Sequence, residues 1–161
     1  MDLQASRIFH LNWNSNKRIR LNRWWTRSTK TRSILQCLKI WLLTGRIWKI
    51  YFKNWVASIF RKYKATLRQT VLRDFKEQLE QDWLFKYVKE HKTIQTFEFK
   101  WRILEFCWAD DQQKIRWWKR DILYCNEANE LKFKDEFWLI RESIFDICFM
   151  EFLLKWFLNT R

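Results

Sequence analysis

Residues 31–60 read TRSILQCLKIWLLTGRIWKIYFKNWVASIF, a largely apolar stretch that carries a small number of cations. Four of these cations fall at seven-residue intervals: Arg32, Lys39, Arg46 and Lys53. Because a step of seven residues drifts by only about 20° around a helix, the four would lie on one narrow stripe. The pattern predicts a helix that begins near Thr31, continues to about residue 62 and has one cationic edge beside a wide apolar face.

The same stretch is a poor candidate for a transmembrane helix. Arg46, Lys49 and Lys53 would lie near its centre, and each would cost about 2.5–3.5 kcal/mol on insertion into a membrane. The apolar residues around them offset only part of that cost. We therefore expect this helix to pack against other parts of the protein.

Composition extends the helical prediction to the whole chain of 161 residues, which has no Pro and a single Gly, Gly45. Tight hairpins, glycine-rich phosphate loops and parallel α/β folds use Gly or Pro at their turns, whereas helices need neither. Amphipathic patterns predict further helices over residues 74–91, 97–108, 114–126 and 131–158. In the first of these, Phe75, Leu79, Trp83 (or Leu84) and Tyr87 would face inward. The predicted fold is all-α, with an irregular basic N-terminal arm followed by a bundle of about five helices.

Charge is distributed unevenly along the chain, whose net charge is +14. Residues 1–73 hold seventeen Lys and Arg against one acidic residue, whereas residues 74–161 hold fifteen basic and seventeen acidic side chains. We therefore divide the chain into a basic, Trp-containing arm (1–30), a basic helical segment (31–73) and a near-neutral helical bundle (74–161). A separation this sharp predicts that the basic part faces a polyanion.

Cations interleaved with aromatic residues are typical of single-stranded nucleic-acid binding, because cations neutralise phosphates and Trp can stack on unpaired bases. The candidate RNA-binding residues are Lys17, Arg18, Arg20, Arg23, Trp24, Trp25, Arg27, Lys30, Arg32, Lys39, Arg46, Lys49 and Lys53. The stripe on the predicted helix has three interpretations at this stage. It could line a phosphate backbone, lie on anionic lipid or form the solvent edge of a buried helix.

Sequence motifs for catalysis, metals or cofactors are absent. Gly45 stands alone, which argues against a phosphate-binding loop or a dinucleotide fingerprint. His10 and His91 have no catalytic partner at a recognisable spacing, and the four Cys form no close pair of the kind that binds zinc. We therefore expect no enzyme, no metal, no cofactor and no small-molecule substrate.

The chain is poor in Gly, Pro and Ala, is rich in Phe, Ile, Lys and Asn, and contains thirteen Trp. This composition resembles that of proteins encoded in AT-rich mitochondrial genomes such as those of ciliates, where UGA is also read as Trp. The resemblance and the basic N-terminus at Met1 imply a protein made in the mitochondrial matrix. With the charge pattern, it predicts a structural, RNA-binding mitochondrial ribosomal protein with protein neighbours in a large assembly. The alternative is an accessory subunit of an inner-membrane complex that lies at the membrane surface.

Overall fold

A computed structural model of the chain describes residues 6–15, 17, 19–24, 29–47, 50–51, 53–108, 120–130 and 144–153. Within these ranges seven strands form one sheet in the order β1-β9-β8-β4-β7-β6-β5. The first five in that order run parallel to one another: β1 (Ile19–Trp24), β9 (Ile144–Leu153), β8 (Arg120–Cys125), β4 (Trp55–Arg61) and β7 (Arg102–Trp108). Two antiparallel strands, β6 (Thr96–Phe99) and β5 (Lys89–His91), complete the sheet. The prediction of an all-α fold is wrong.

Helices pack beside this sheet, and one small ribbon lies apart from it. The helices are α1 (Arg7–Asn14), α2 (Lys30–Thr44), α3 (Lys64–Leu67) and α4 (Arg73–Gln81), with a π-helical turn at Arg68–Leu72 between the last two. The ribbon pairs β2 (Arg46–Ile47) with β3 (Ile50–Tyr51) in antiparallel fashion. In the described part of the chain, no helix is long and apolar enough to cross a membrane.

The long helix predicted from residue 31 to about residue 62 is correct only at its start. Helix α2 begins at Lys30 and ends after Thr44, because Gly45 adopts φ +70° and its amide bonds the carbonyl of Trp41 at 2.8 Å. A left-handed glycine at this position terminates the helix. The chain then forms β2, β3 and β4, so the seven-residue stripe of cations does not exist as a continuous helical edge.

Residues 1–30 are expected to form an irregular arm, but their described part contains α1 and β1. Two buried amides join these elements, with Nδ2 of Asn12 donating to Oδ1 of Asn22 at 3.0 Å and Nδ2 of Asn22 donating to Oδ1 of Asn12 at 3.2 Å. Arg20 is also buried and donates to the carbonyl of Asn12 at 2.9 Å and to that of Ser15. These contacts join α1 to β1, and the segment is held to the rest of the protein by the pairing of β1 with β9 and by a 2.6 Å hydrogen bond between the hydroxyls of Ser6 and Ser33.

The core lies between the sheet and the helices. Residues of α2 that contact it, among them Ile34, Leu38 and Trp41, are fully buried. Helix α4 contributes Phe75 and Leu79, as its amphipathic pattern predicted. The predicted inward positions of Trp83 and Tyr87 are wrong, because α4 ends at Gln81 and both side chains are exposed, whereas Leu84, the alternative to Trp83, is partly buried against the core.

The helices predicted over residues 97–108, 114–126 and 131–158 are replaced, in their described parts, by strands β6 to β9. Central parallel strands are covered on both faces, so they read as continuous apolar runs rather than as an alternation. The run ILYC in β8 is of this kind, with every residue from Ile122 to Cys125 buried. Periodicity alone does not separate such a run from a short buried helix.

Candidate phosphate-binding site

The carboxyl ends of the parallel strands lie along one edge of the sheet. Strand β1 ends at Trp24, β8 at Cys125 and β4 at Arg61. In open sheets of this type, ligands bind in the crevice outside the carboxyl ends of the strands. A ligand site is therefore expected at this edge.

Helix α2 starts at this edge, directly after the segment that follows β1. Thr29 precedes the helix in the left-handed conformation, with φ +58°, and its side chain makes no capping hydrogen bond. The first turn contains two cations, Lys30 and Arg32, and no acidic residue. Cations at a helix N-terminus oppose the helix dipole, whereas an anion bound there is stabilised by it. The start of α2 therefore has the electrostatic character of an anion site.

The sequence of this segment matches half of a known phosphate-binding pattern. A phosphate-binding loop reads G-x-x-x-x-G-K-[ST] between a strand and a helix. Residues 24–31 read WWTRSTKT, so Lys30 and Thr31 occupy the last two positions, while Trp24 and Thr29 stand where the pattern has glycine. Thr29 nevertheless has the positive φ that a glycine would adopt there. The strand, the left-handed residue and the helix follow one another as that motif requires.

Strand β8 brings a second set of polar groups to the same place. Asn126 and Glu127 follow β8 directly, and both side chains are buried. The Nδ2 atom of Asn126 lies 3.4 Å from the hydroxyl oxygen of Thr31, a residue 95 positions earlier in the sequence. The amide of Asn126 bonds the carbonyl of Phe60 at the end of β4 at 2.8 Å. One site therefore combines the ends of β8 and β4 with the start of α2.

Two further hydrogen-bonding groups hold this part of the edge in place. Nδ2 of Asn126 also contacts the hydroxyl of Tyr124 at 3.0 Å. Arg61, the last residue of β4, donates to the hydroxyl of Thr70 at 2.8 Å and lies 3.6 Å from a carboxylate oxygen of Glu130. Because Glu130 follows Glu127 in the same short turn, Arg61 connects that turn to β4 and to the helical segment.

The residues at this edge fit a nucleoside triphosphate with its magnesium ion. Magnesium prefers oxygen ligands and is usually held by one or two protein groups together with phosphate oxygens. Thr31 and Asn126 bring a hydroxyl and a side-chain amide together, and Glu127, the next residue in the chain, adds a buried carboxylate. No group of three or more His, Cys, Asp or Glu that could hold a metal by itself occurs in the residues that the structure describes. A metal held jointly with phosphates matches that arrangement.

The described members of the thirteen residues that the sequence assigned to RNA binding lie in different surroundings. Lys30 is buried at the start of α2, and Arg32 is exposed beside it and donates to Oε1 of Gln81 at 3.2 Å. Lys39 is buried in an ion pair with Asp82. Arg20 is buried against backbone carbonyls, as described above.

The remaining predicted residues belong to other segments of the chain. Lys17, Arg46 and Lys53 are exposed on a connection, on β2 and on a bend. Arg23 and Trp24 belong to β1, and their side chains are outside the described part of the structure. Arg18, Trp25, Arg27 and Lys49 lie outside the described residues.

Sequence reasoning missed Thr29, Thr31, Asn126 and Glu127. The pair Lys30-Thr31 at a helix start was the available signal, but the single glycine of the chain argued against a phosphate-binding loop. Asn126 and Glu127 follow a four-residue apolar run. A buried strand of a parallel sheet has such a run, and polar residues directly after it mark the end of the strand. The contact of Asn126 with Thr31 follows from the strand order, which no local pattern reveals.

Comparisons with known proteins identify the fold. Neither a protein-family model nor a curated protein matches this sequence. Among solved structures, the large terminase of bacteriophage HK97 is similar with a TM-score of 0.69 and 10% identity, over 90% of this chain and 31% of that chain. The ATPase domain of the Thermus phage P74-26 large terminase is similar with a TM-score of 0.67 and 12% identity, over 92% of this chain and 64% of that one.

A third similar structure is the large terminase of a thermophilic bacteriophage in complex with ADP, with a TM-score of 0.62 and 18% identity. It is matched over 94% of this chain and 35% of that chain, so the chain spans about a third of the length of the full terminases. These similarities and the sheet overturn the prediction of a non-enzymatic, all-α ribosomal protein, and that of a membrane-surface subunit. They also conflict with the expectation of no small-molecule substrate, since one of the similar structures holds ADP, and they give no support to RNA as the partner. The chain has the α/β fold of large-terminase ATPase domains.

Proposed function

We propose that this chain is a nucleotide-binding domain that hydrolyses ATP, of the type found in phage large terminases. The observation that carries the proposal is the contact between Thr31 at the start of α2 and Asn126 after β8. It unites the two segments that a phosphate-binding ATPase places around the terminal phosphates. The similarity to large terminases, one of them solved with ADP, supports the same class of nucleotide.

Each residue at the edge has a role that its position supports. The amino end of α2 directs its first amides and the Lys30 ammonium toward the phosphates, which neutralises their charge. The hydroxyl of Thr31 and the side-chain amide of Asn126 would hold the magnesium ion, which would neutralise charge on the phosphate oxygens. Glu127 accepts a hydrogen bond from the attacking water and orients it toward the terminal phosphate.

Asn126 makes this site less acidic than one with two adjacent carboxylates. An amide at that position supplies an oxygen ligand without a negative charge. Glu127 then carries the anionic charge of the Asn126–Glu127 pair. We therefore expect magnesium to bind through the nucleotide complex and weakly to the protein alone.

Nucleotide titration tests the proposal. The chain isolated from its natural source should bind ATPγS saturably in the presence of Mg²⁺, as measured by calorimetry. Changing Lys30 to Ala removes a charged contact worth about 1.5–3 kcal/mol, which weakens binding by about 10- to 150-fold. Changing Glu127 to Gln should preserve binding but lower hydrolysis by about 10²- to 10⁴-fold.

Arg32→Ala is the matched control for Lys30→Ala. Arg32 belongs to the same turn and carries the same charge, but its side chain is exposed and donates to Gln81. Its removal should alter binding by only about twofold, as is usual for a surface substitution. Equal losses in the two variants would show that only diffuse positive charge attracts the nucleotide. That result, or no saturable binding by the natural chain, would refute the proposal.

A further inference from the structure

The end of α4 adopts a backbone conformation that its residue type disfavours. The amide of Trp83 bonds the carbonyl of Glu80 at 3.0 Å, and the amide of Leu84 bonds that of Leu79 at 2.8 Å. This pair of bonds defines a Schellman motif, in which the residue after the C-cap is left-handed and usually glycine. Trp83 is that residue and has φ +56°. A large side chain is disfavoured in this conformation by its own Cβ.

No packing of the Trp83 side chain compensates for this conformation, because 82% of its surface is exposed. The equivalent position after α2 provides a comparison within the same chain. Gly45 follows that helix with φ +70°, and its amide donates a hydrogen bond to the carbonyl of Trp41. Two helices therefore end in the same left-handed way, one with glycine and the other with the bulkiest side chain.

A second exposed Trp lies in a two-residue turn, a type of turn in which glycine is common. Phe99 pairs with Arg102 across the β6–β7 hairpin, so Lys100 and Trp101 form a two-residue turn. Turns of this length favour Gly, Asn or Asp, because they require a positive φ, and Lys100 has φ +59°. Trp101 is 68% exposed and gains little from packing. The positive φ of this turn is at Lys100, and Trp101 holds the second central position, where the common Asn-Gly and Asp-Gly turns carry glycine.

The third position is Trp24, and its interpretation depends on the proposed function. Trp24 stands where the phosphate-binding pattern has its first glycine, five residues before Thr29. Glycine is used in such loops because the backbone must approach phosphate closely, which a side chain prevents. Trp83 and Trp101 give the same indication independently of any nucleotide.

Composition suggests one cause for all three positions. An ordinary chain of this length has about eleven Gly, since glycine makes up about 7% of residues in globular proteins. This chain has one Gly and thirteen Trp. UGA differs by one base from the Trp codon UGG and by one base from the Gly codon GGA. We propose that UGA codons of this gene specify glycine, so that residues 24, 83 and 101 are glycine in the protein that its own cell makes.

Other Trp residues have the environment of a true tryptophan. Trp41 is fully buried in α2, and its ring lies 6.1 Å from that of Trp13. Trp13 in turn stacks on Phe9, with ring centroids 5.5 Å apart. Glycine at either position would remove a large part of the core and leave a cavity. The proposal therefore divides the Trp positions: UGG encodes Trp13 and Trp41, and UGA occupies positions 24, 83 and 101.

Peptide mass spectrometry of the protein from its source tests the decoding directly. Trypsin should release residues 77–86, which contain position 83, and residues 40–46, which contain Trp41. We expect glycine in the first peptide and tryptophan in the second, with UGA and UGG at the matching codons. Tryptophan at position 83 in the natural peptide would overturn the proposal, as would UGG codons at positions 24, 83 and 101.

A nucleotide titration of two recombinant versions separates this inference from the proposed function. One version carries Trp as printed, and the other carries glycine at positions 24, 83 and 101. If natural position 83 is glycine and the glycine version binds ATPγS at least about tenfold more tightly, a difference near 1.4 kcal/mol, both proposals stand. If position 83 is glycine but neither version binds nucleotide, the decoding stands and the proposed function is refuted. If the natural residue is Trp, the decoding is refuted whatever the titration shows.

Discussion

A buried ion pair in the sheet should control the stability of this fold. Glu105 of β7 and Arg120 of β8 are 3% and 1% exposed, and Nε of Arg120 lies 3.2 Å from Oε1 of Glu105. Ser58 of the intervening strand β4 donates to Glu105 and accepts from Arg120 at 2.7 Å. The three side chains therefore join three neighbouring strands below the surface of the protein.

We expect Glu105→Leu to destabilise the protein by about 3–5 kcal/mol, because it leaves the guanidinium of Arg120 buried without its carboxylate. Arg120→Met should cost a similar amount for the opposite reason. In the double variant both charges are absent, and the main remaining cost is the loss of partners by the Ser58 hydroxyl, about 1–3 kcal/mol. The double variant should thus be more stable than either single variant.

Urea unfolding followed by circular dichroism measures these changes. With an m-value of about 2 kcal/mol/M, the loss in either single variant would lower the midpoint by about 2 M. The exposed pair Arg73–Glu77, at 3.5 Å on α4, is a matched control. Glu77→Leu should cost only about 0.3–0.5 kcal/mol, since solvent screens that pair. If the effects of Glu105→Leu and Arg120→Met simply add in the double variant, the two side chains are not coupled and the reasoning fails.

Three other predictions follow from single positions. Gly45→Ala should destabilise the protein by about 2–4 kcal/mol in urea unfolding, because the new Cβ adds left-handed strain and would collide with Nη1 of Arg102. Arg102 is buried, and its guanidinium donates a hydrogen bond to the carbonyl of Leu43, which the collision would disturb. An unchanged unfolding midpoint would show that Arg102 moves freely. Trp83→Gly should instead raise stability by about 1–2 kcal/mol, and a loss of stability would mean that the Trp side chain is needed there. Burial raises the pKa of Cys37 from 9.0 to about 12. Since the thiol ionises at lower pH in the unfolded chain, the free energy of unfolding should fall by up to about 1.4 kcal/mol per pH unit between these two values. Cys37→Ala should remove that dependence on pH.

The sequence predicted those helices whose signals are local. The start of α2 was expected near Thr31 and lies at Lys30, and the inward positions of Phe75 and Leu79 on α4 are confirmed by their burial. Both predictions depend on a helical repeat read over a few turns. Extending the same repeat past Gln81 placed Trp83 and Tyr87 inward, but the left-handed turn ends the helix there.

The sheet could not be predicted in the same way, for two physical reasons. Its central strands are buried on both faces, so they lack the alternation by which a half-exposed strand is recognised. The near absence of Gly and Pro also argued against predicting tight turns. The backbone nevertheless makes such turns, with positive φ at Thr29, Trp83 and Lys100. Composition predicts such turns only where they are occupied by the residues that adopt them most easily.

The sequence predicts only part of the candidate site. Lys30 and Arg32 were identified as phosphate-binding cations, but they were assigned to an RNA backbone together with eleven other residues. Asn126 was missed, because nothing in its local sequence relates it to Thr31. The contact between the two exists only once β8 lies beside β4 in the sheet.

The uneven charge, which suggested a polyanion partner, is partly balanced within the fold. Cations of residues 1–73 pair with carboxylates of residues 74–161: Lys39 with Asp82, and Arg61 with Glu130. Arg20 donates to backbone carbonyls rather than to a carboxylate. A half with a single acidic residue can therefore still have acidic partners, because folding brings the two halves together. Cations that are close together in the sequence can therefore have different partners in the fold. The cations at the start of α2 are the ones that lie at the edge of the sheet.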